Sequence, residues 1–117
     1  FICNIAPDVY MDMMYMPDAL RATVELMEAD PAKLKHRNSF NIASMSFTPE
    51  IIREVVERHV PGFQMEYNVD PVKDVISRSW PNSLDDTCAR EEWGWKPQWD
   101  LESMTKDMLE KVAAKLK

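Results

Sequence analysis

Two cysteines, two histidines and three tyrosines are the side chains best equipped for chemistry in this 117-residue chain, and their spacing decides what they can do. Cys3 and Cys88 are far apart in sequence, and His36 and His59 each stand alone. A zinc site takes about four ligands, usually arriving in close pairs, so the spacing leads us to expect no metal. A tyrosine with a lysine four residues on along one helix face can move a proton. Tyr10, Tyr15 and Tyr67 are followed at that distance by Met14, Ala19 and Pro71, so the pair is absent. The two glycines, Gly62 and Gly94, cannot form the glycine-rich turn that brings backbone amides against a dinucleotide pyrophosphate. Neither a Walker-type loop nor a nucleophile elbow is present. On these grounds we expect no catalytic, cofactor-binding or metal-ligating residue in the chain itself.

The elements that would position any site are legible from capping and periodicity. Phe1 to Ile5 is apolar and strand-compatible, Ala6-Pro7-Asp8 is a turn, and residues 13–16 form a second short strand candidate. Pro17 opens a helix whose Leu20, Val24 and Met27 recur at helical spacing, and Asp30-Pro31 ends it. Residues 38–43 read as a third strand, with Phe40 and Ile42 on one face. Thr48-Pro49-Glu50 is a strong helix start, and Ile52, Val55, Val56 and His59 share a face. Phe63, Met65, Tyr67 and Val69 alternate with polar residues, the clearest strand pattern in the chain. Asp70-Pro71 starts another helix with Val72, Val75 and Ile76 expected inward. Asp85 or Asp86 caps a short helix ending at Gly94, and Asp100 caps a last helix striped with Leu101, Met104, Met108, Val112 and Leu116. The expectation is one α+β unit over residues 1–117, with short strands and about five helices.

Composition narrows the function classes. The net charge is −6, and the only basic cluster is Lys33, Lys35, His36 and Arg37. No basic stripe exists to replace phosphate counterions, so nucleic acid is not an expected partner. No apolar run is long enough to span a bilayer, so no membrane partner is expected either.

Three stretches carry a resemblance. Residues 13–22 pass from Met13-Met14-Tyr15-Met16 into Pro17-Asp18-Ala19, residues 39–48 run from Ser39-Phe40 to Phe47-Thr48, and residues 86–97 join Asp86 to Trp93-Gly94-Trp95-Lys96-Pro97. Together they resemble the C-terminal third of the extended short-chain dehydrogenase/reductase (NAD-dependent epimerase/dehydratase) superfamily. The runs M-M-Y-M-P-D and S-F-T-P-E, with Ser79-Trp80-Pro81 ahead of Asp85-Asp86, resemble its L-threonine 3-dehydrogenase family. The resemblance implies the small C-terminal, substrate-side portion of a Rossmann-type α/β enzyme, with its NAD-binding domain upstream of Phe1. It implies an enzyme that oxidises L-threonine to 2-amino-3-oxobutyrate with NAD. It further implies a homodimer, in bacterial cytoplasm or the mitochondrial matrix. The NAD site and the catalytic tyrosine and lysine would lie upstream, leaving this chain inactive alone.

Within the chain, the resemblance sets Trp80 against the substrate pocket. A flat indole in a Pro81-braced loop can shield a small polar substrate and exclude water. The other reading of Trp80 is a core tryptophan packed on the last helix. Trp93, Trp95 and Trp99, flanking Gly94, fit the core better, while Asp18 and Asp86 read as a dipole partner and a helix cap. Two rivals remain. A nucleotide-sugar epimerase or dehydratase would use cationic groups on a diphosphate, and Arg78 is the candidate. A non-enzymatic interaction module would use the amphipathic last helix.

Overall fold

A computed structural model describes residues 1–116. The elements run β1 (Ile2–Cys3), β2 (Met11–Met13), α1 (Met16–Glu28), β3 (Met45–Phe47), α2 (Pro49–His59), β4 (Glu66–Tyr67), α3 (Pro71–Arg78), α4 (Thr87–Trp93) and α5 (Leu101–Lys115). This is the expected α+β unit with five helices and short strands. The strands form two separate pairs. β1 lies parallel to β4, with Ile2 opposite Glu66, and β2 lies antiparallel to β3, with Met11 opposite Phe47.

The helices begin where their capping residues stand. The Thr48 hydroxyl accepts from the Ile51 amide at 3.2 Å, and the Asp70 carboxylate accepts from the Val72 and Lys73 amides at 2.9 and 3.3 Å. Asp100 and Ser103 form a reciprocal capping box on α5. α4 ends on Gly94 at φ +77°, a left-handed position that L side chains reach only at a cost of about 1–2 kcal/mol. The strands depart further from expectation. Residues 38–43 form no strand, and β3 lies just beyond, at Met45–Phe47. Phe40 and Ile42 are nonetheless core side chains, packed as loop residues against the cluster of Ala22, Ala89 and Trp95. In the alternating 63–69 stretch β4 itself spans only Glu66–Tyr67, and hydrogen bonds from the Glu66, Asn68 and Asp70 amides to the Phe1, Cys3 and Asn4 carbonyls continue the pairing beyond it.

Trp95 centres the core at 2 % exposure, with its indole N–H donating to the Ala43 carbonyl at 3.0 Å. Trp93 lies tilted beside it, and the Arg21 guanidinium covers its ring at 4.8 Å. Beneath that guanidinium is Asp18, which is 0 % exposed. Asp18 accepts from Arg21 at 2.8 Å, from the Gln98 amide at 2.9 Å and from the Trp99 amide at 3.0 Å. Its first-turn position on α1 suits the helix dipole. Its larger task is to fasten the segment after Gly94 onto α1.

The molecule is flat and long, 52 × 35 × 20 Å, with a radius of gyration of 17.0 Å. A compact domain of this length would have about 13 Å. Much apolar surface is therefore uncovered. Leu20, Val24 and Met27 of α1 are exposed, as are Val72, Val75 and Ile76 of α3, which the periodicity had placed inward. The periodicity located an apolar face correctly in each case, but no element of the chain covers it. Among the described residues, no helix is long and apolar enough to cross a membrane.

Candidate functional site

The loop that carries Trp80 is built from α3 outward. Asp74, one turn into α3, accepts from the Ala6 amide at 3.1 Å and ties the helix to the turn after β1. Arg78, at its last turn, donates to Asp74 at 2.8 Å and to Asp8 at 2.9 Å. The chain then turns on Ser79, whose hydroxyl donates to the Ile76 carbonyl at 2.6 Å, and the Trp80 amide donates to Ser77 at 3.2 Å. Past Pro81, the Asn82 carbonyl accepts from the Ser46 hydroxyl of β3. Asp85 then closes the loop, accepting from the amide and hydroxyl of Thr87 at 2.9 and 2.6 Å. The loop is pinned at both ends, and its indole stands out between the pins.

Trp80 is 53 % exposed, so it is not the core tryptophan of the alternative reading. An exposed indole on a braced loop presents a large apolar face with an N–H handle. Trp95, Trp93 and Trp99 are inside or at the edge of the core, where Trp99 meets Tyr15 edge-to-face at 5.0 Å. Asp85, not Asp86, makes the side-chain cap of α4. Asp86 instead receives Arg90 at 2.7 Å and the Ala43 amide at 3.3 Å, and the Arg90 guanidinium holds its carboxyl below the usual range.

Arg78 bears on what the neighbourhood can bind. Its charge is shared between two carboxylates, whose hydrogen bonds hold its pKa above the ordinary arginine value. Both pairs are solvent-exposed on the arginine side, and such pairs contribute little, so they order the Arg78 side chain without locking it.

Neither Tyr15 nor Tyr67 is set up as a general base. Tyr15 donates to Asp107 at 2.5 Å, and Lys111 approaches its ring at 5.9 Å. Here a tyrosine and a lysine do meet in space, but the carboxylate between them raises the phenol's pKa. Tyr67 donates to Glu50 at 2.6 Å, and burial pushes its pKa up to about 12. Both phenols are held protonated. Nor do the glycines fit a dinucleotide. Gly62 follows the C-terminus of α2 and Gly94 that of α4, ends that present carbonyls and repel a pyrophosphate.

The structure also brings together side chains that their spacing kept apart. His36, Cys88 and Glu92 offer ligand atoms that all lie within 4.8 Å of one another. Cys88 and Glu92 stand four apart on α4, which the sequence shows; the approach of His36 it does not.

No protein-family model matches the chain. Its backbone superimposes on L-threonine dehydrogenase from Clostridium difficile with a TM-score of 0.94, at 53 % identity, covering 98 % of this chain and 36 % of that one. The chain resembles L-threonine 3-dehydrogenases. The enzyme from Phytophthora infestans gives a TM-score of 0.93 at 42 % identity, over 98 % of this chain and 37 % of that one. A curated relative, an uncharacterised epimerase/dehydratase of Staphylococcus saprophyticus, is 50 % identical over 113 residues, which is 97 % of this chain and 35 % of the relative. The chain therefore spans about a third of the length of the proteins it matches. The same resemblance carries the α+β architecture described above.

Proposed function

We propose that this chain is the substrate-side portion of an NAD-dependent L-threonine 3-dehydrogenase, with Trp80 as a lid over the bound amino acid. The observation that carries the reading is the 0.94 TM-score at 53 % identity over nearly the whole chain to a protein of that activity.

In this reading, the NAD-binding Rossmann domain and the proton-transfer tyrosine and lysine precede Phe1. NAD, when bound there, accepts the hydride from the 3-hydroxyl carbon of threonine. This chain contributes no dinucleotide contact and is silent on its own. Trp80 covers the substrate and keeps water from the reacting carbon. The working enzyme is a homodimer.

The epimerase/dehydratase description of the curated relative supports a second reading in which the substrate is a nucleotide sugar. The net charge of −6 counts against a dianionic ligand. The test uses the intact protein that carries this segment. NADH absorbance is followed with L-threonine, and conversion of a panel of UDP-hexoses is followed by chromatography of the products, because an epimerase or dehydratase returns its hydride and forms no net NADH. Threonine-dependent NADH formation supports the first reading, and turnover of a UDP-hexose alone replaces it with the second.

A further inference from the structure

The loop between α1 and β3, residues 29–44, has no helix or strand of its own. It is tied to α4 through Glu92. One Glu92 oxygen accepts from the backbone amides of Lys35 and His36 at 2.7 and 3.0 Å. The other meets Nδ1 of His36. Cys88, one helical turn before Glu92, turns its thiol to the same place. Glu92 is buried, whereas His36 and Cys88 are exposed.

We propose that His36, Cys88 and Glu92 form a binding site for one divalent cation of the zinc class, independent of the dehydrogenase reading. The donor set is an imidazole nitrogen, a thiolate and a carboxylate oxygen. Thiolate and imidazole select zinc or cobalt over magnesium or calcium. Bonds of about 2.0–2.3 Å to a tetrahedral ion set neighbouring ligand atoms about 3.3–3.8 Å apart. The ligand atoms now lie within 4.8 Å of one another, with His36 Nδ1 directly on Glu92, so an ion entering between them opens that pair and draws in the Cys88 thiol.

Glu92 is the fixed ligand. The two amides on its far oxygen hold the carboxylate plane, as outer hydrogen bonds do around metal ligands. On binding, the ion takes the place of the His36–Glu92 hydrogen bond, and the Cys88 thiol releases its proton to solvent. The two anionic ligands balance the ion's charge, and the fourth position belongs to water. Lys33 and Lys35 are exposed, so solvent screens their charge from the ion. The ion clips the 29–44 loop to α4 at a second point.

Cobalt(II) is the probe, added to the chelator-treated intact protein. We expect one ion bound per chain, with the near-ultraviolet charge-transfer band of a cobalt–thiolate bond, and a higher unfolding temperature in zinc. Cys88→Ser should abolish the band, and His36→Ala should weaken binding by at least about 10–100-fold, the loss that removing even an outer partner of a metal ligand causes. Glu92 is left alone because its loss would disturb the loop. A protein that shows no thiolate band, or whose band and affinity survive both substitutions, overturns the proposal.

Discussion

The carboxylate of Asp18, in the first turn of α1, accepts from the backbone amide of Trp99 at 3.0 Å, across 81 residues of sequence. With the Gln98 amide and Arg21 it completes a fully enclosed junction between α1 and the approach to α5. Asp18→Ala strands two backbone amides, while Arg21 keeps Glu25 and the Lys96 carbonyl. Leaving a buried donor unsatisfied costs about 1–3 kcal/mol. Urea unfolding of the intact protein should show that loss, and Asp18→Asn should recover only part of it, because its amide oxygen can accept from both backbone donors while its nitrogen, itself a donor, then faces Arg21. A midpoint unchanged by Asp18→Ala would mean that the junction is not formed.

The tryptophans separate by task. Trp95→Ala empties the core and should cost about 3–5 kcal/mol, as such truncations do. Trp80→Ala removes an exposed side chain and should change stability by no more than about 0.5 kcal/mol. Thermal unfolding of the two variants side by side checks this. A large loss from Trp80→Ala would return that residue to a packing role.

Acid should loosen α3 from the turn after β1. Hydrogen bonds from Arg78, and then from the Ala6 amide, lower the pKa of Asp74 below its ordinary value in the folded state. A depressed folded pKa means that the unfolded chain takes up the proton first as pH falls. The stabilisation is thus present above about pH 4 and is lost as pH drops through the folded value. Asp74→Asn should be less stable than the parent at pH 7, and the gap should narrow at pH 3. Urea midpoints at the two pH values measure it, and a gap constant with pH would show that Asp74 is not held as a charged partner.

How far these features were legible depends on how local their causes are. Thr48, Asp70 and Asp100 cap from within a turn of their helices, and all three starts could be read from the sequence. Residues 38–43 misled because Phe40 and Ile42 alternate like strand residues while serving the Trp95 cluster from a loop. The Leu20 and Val75 stripes were correctly apolar, but periodicity does not say whether anything covers a face. Asp18 had a sufficient local reading as a dipole partner, which hid its long-range one. His36 joins Cys88 and Glu92 through the fold, and only the four-residue spacing of the latter two was visible beforehand. The exposure of Trp80 could not be chosen from sequence, since an indole before a proline suits a lid and a core alike.

The most direct test measures NADH formation from L-threonine by the intact protein and by its Trp80→Ala variant. The account predicts threonine-dependent activity in the parent. In the variant it predicts a raised KM for threonine and a lowered kcat, with the KM for NAD nearly unchanged. No activity with threonine, or threonine kinetics untouched by the substitution, would contradict it.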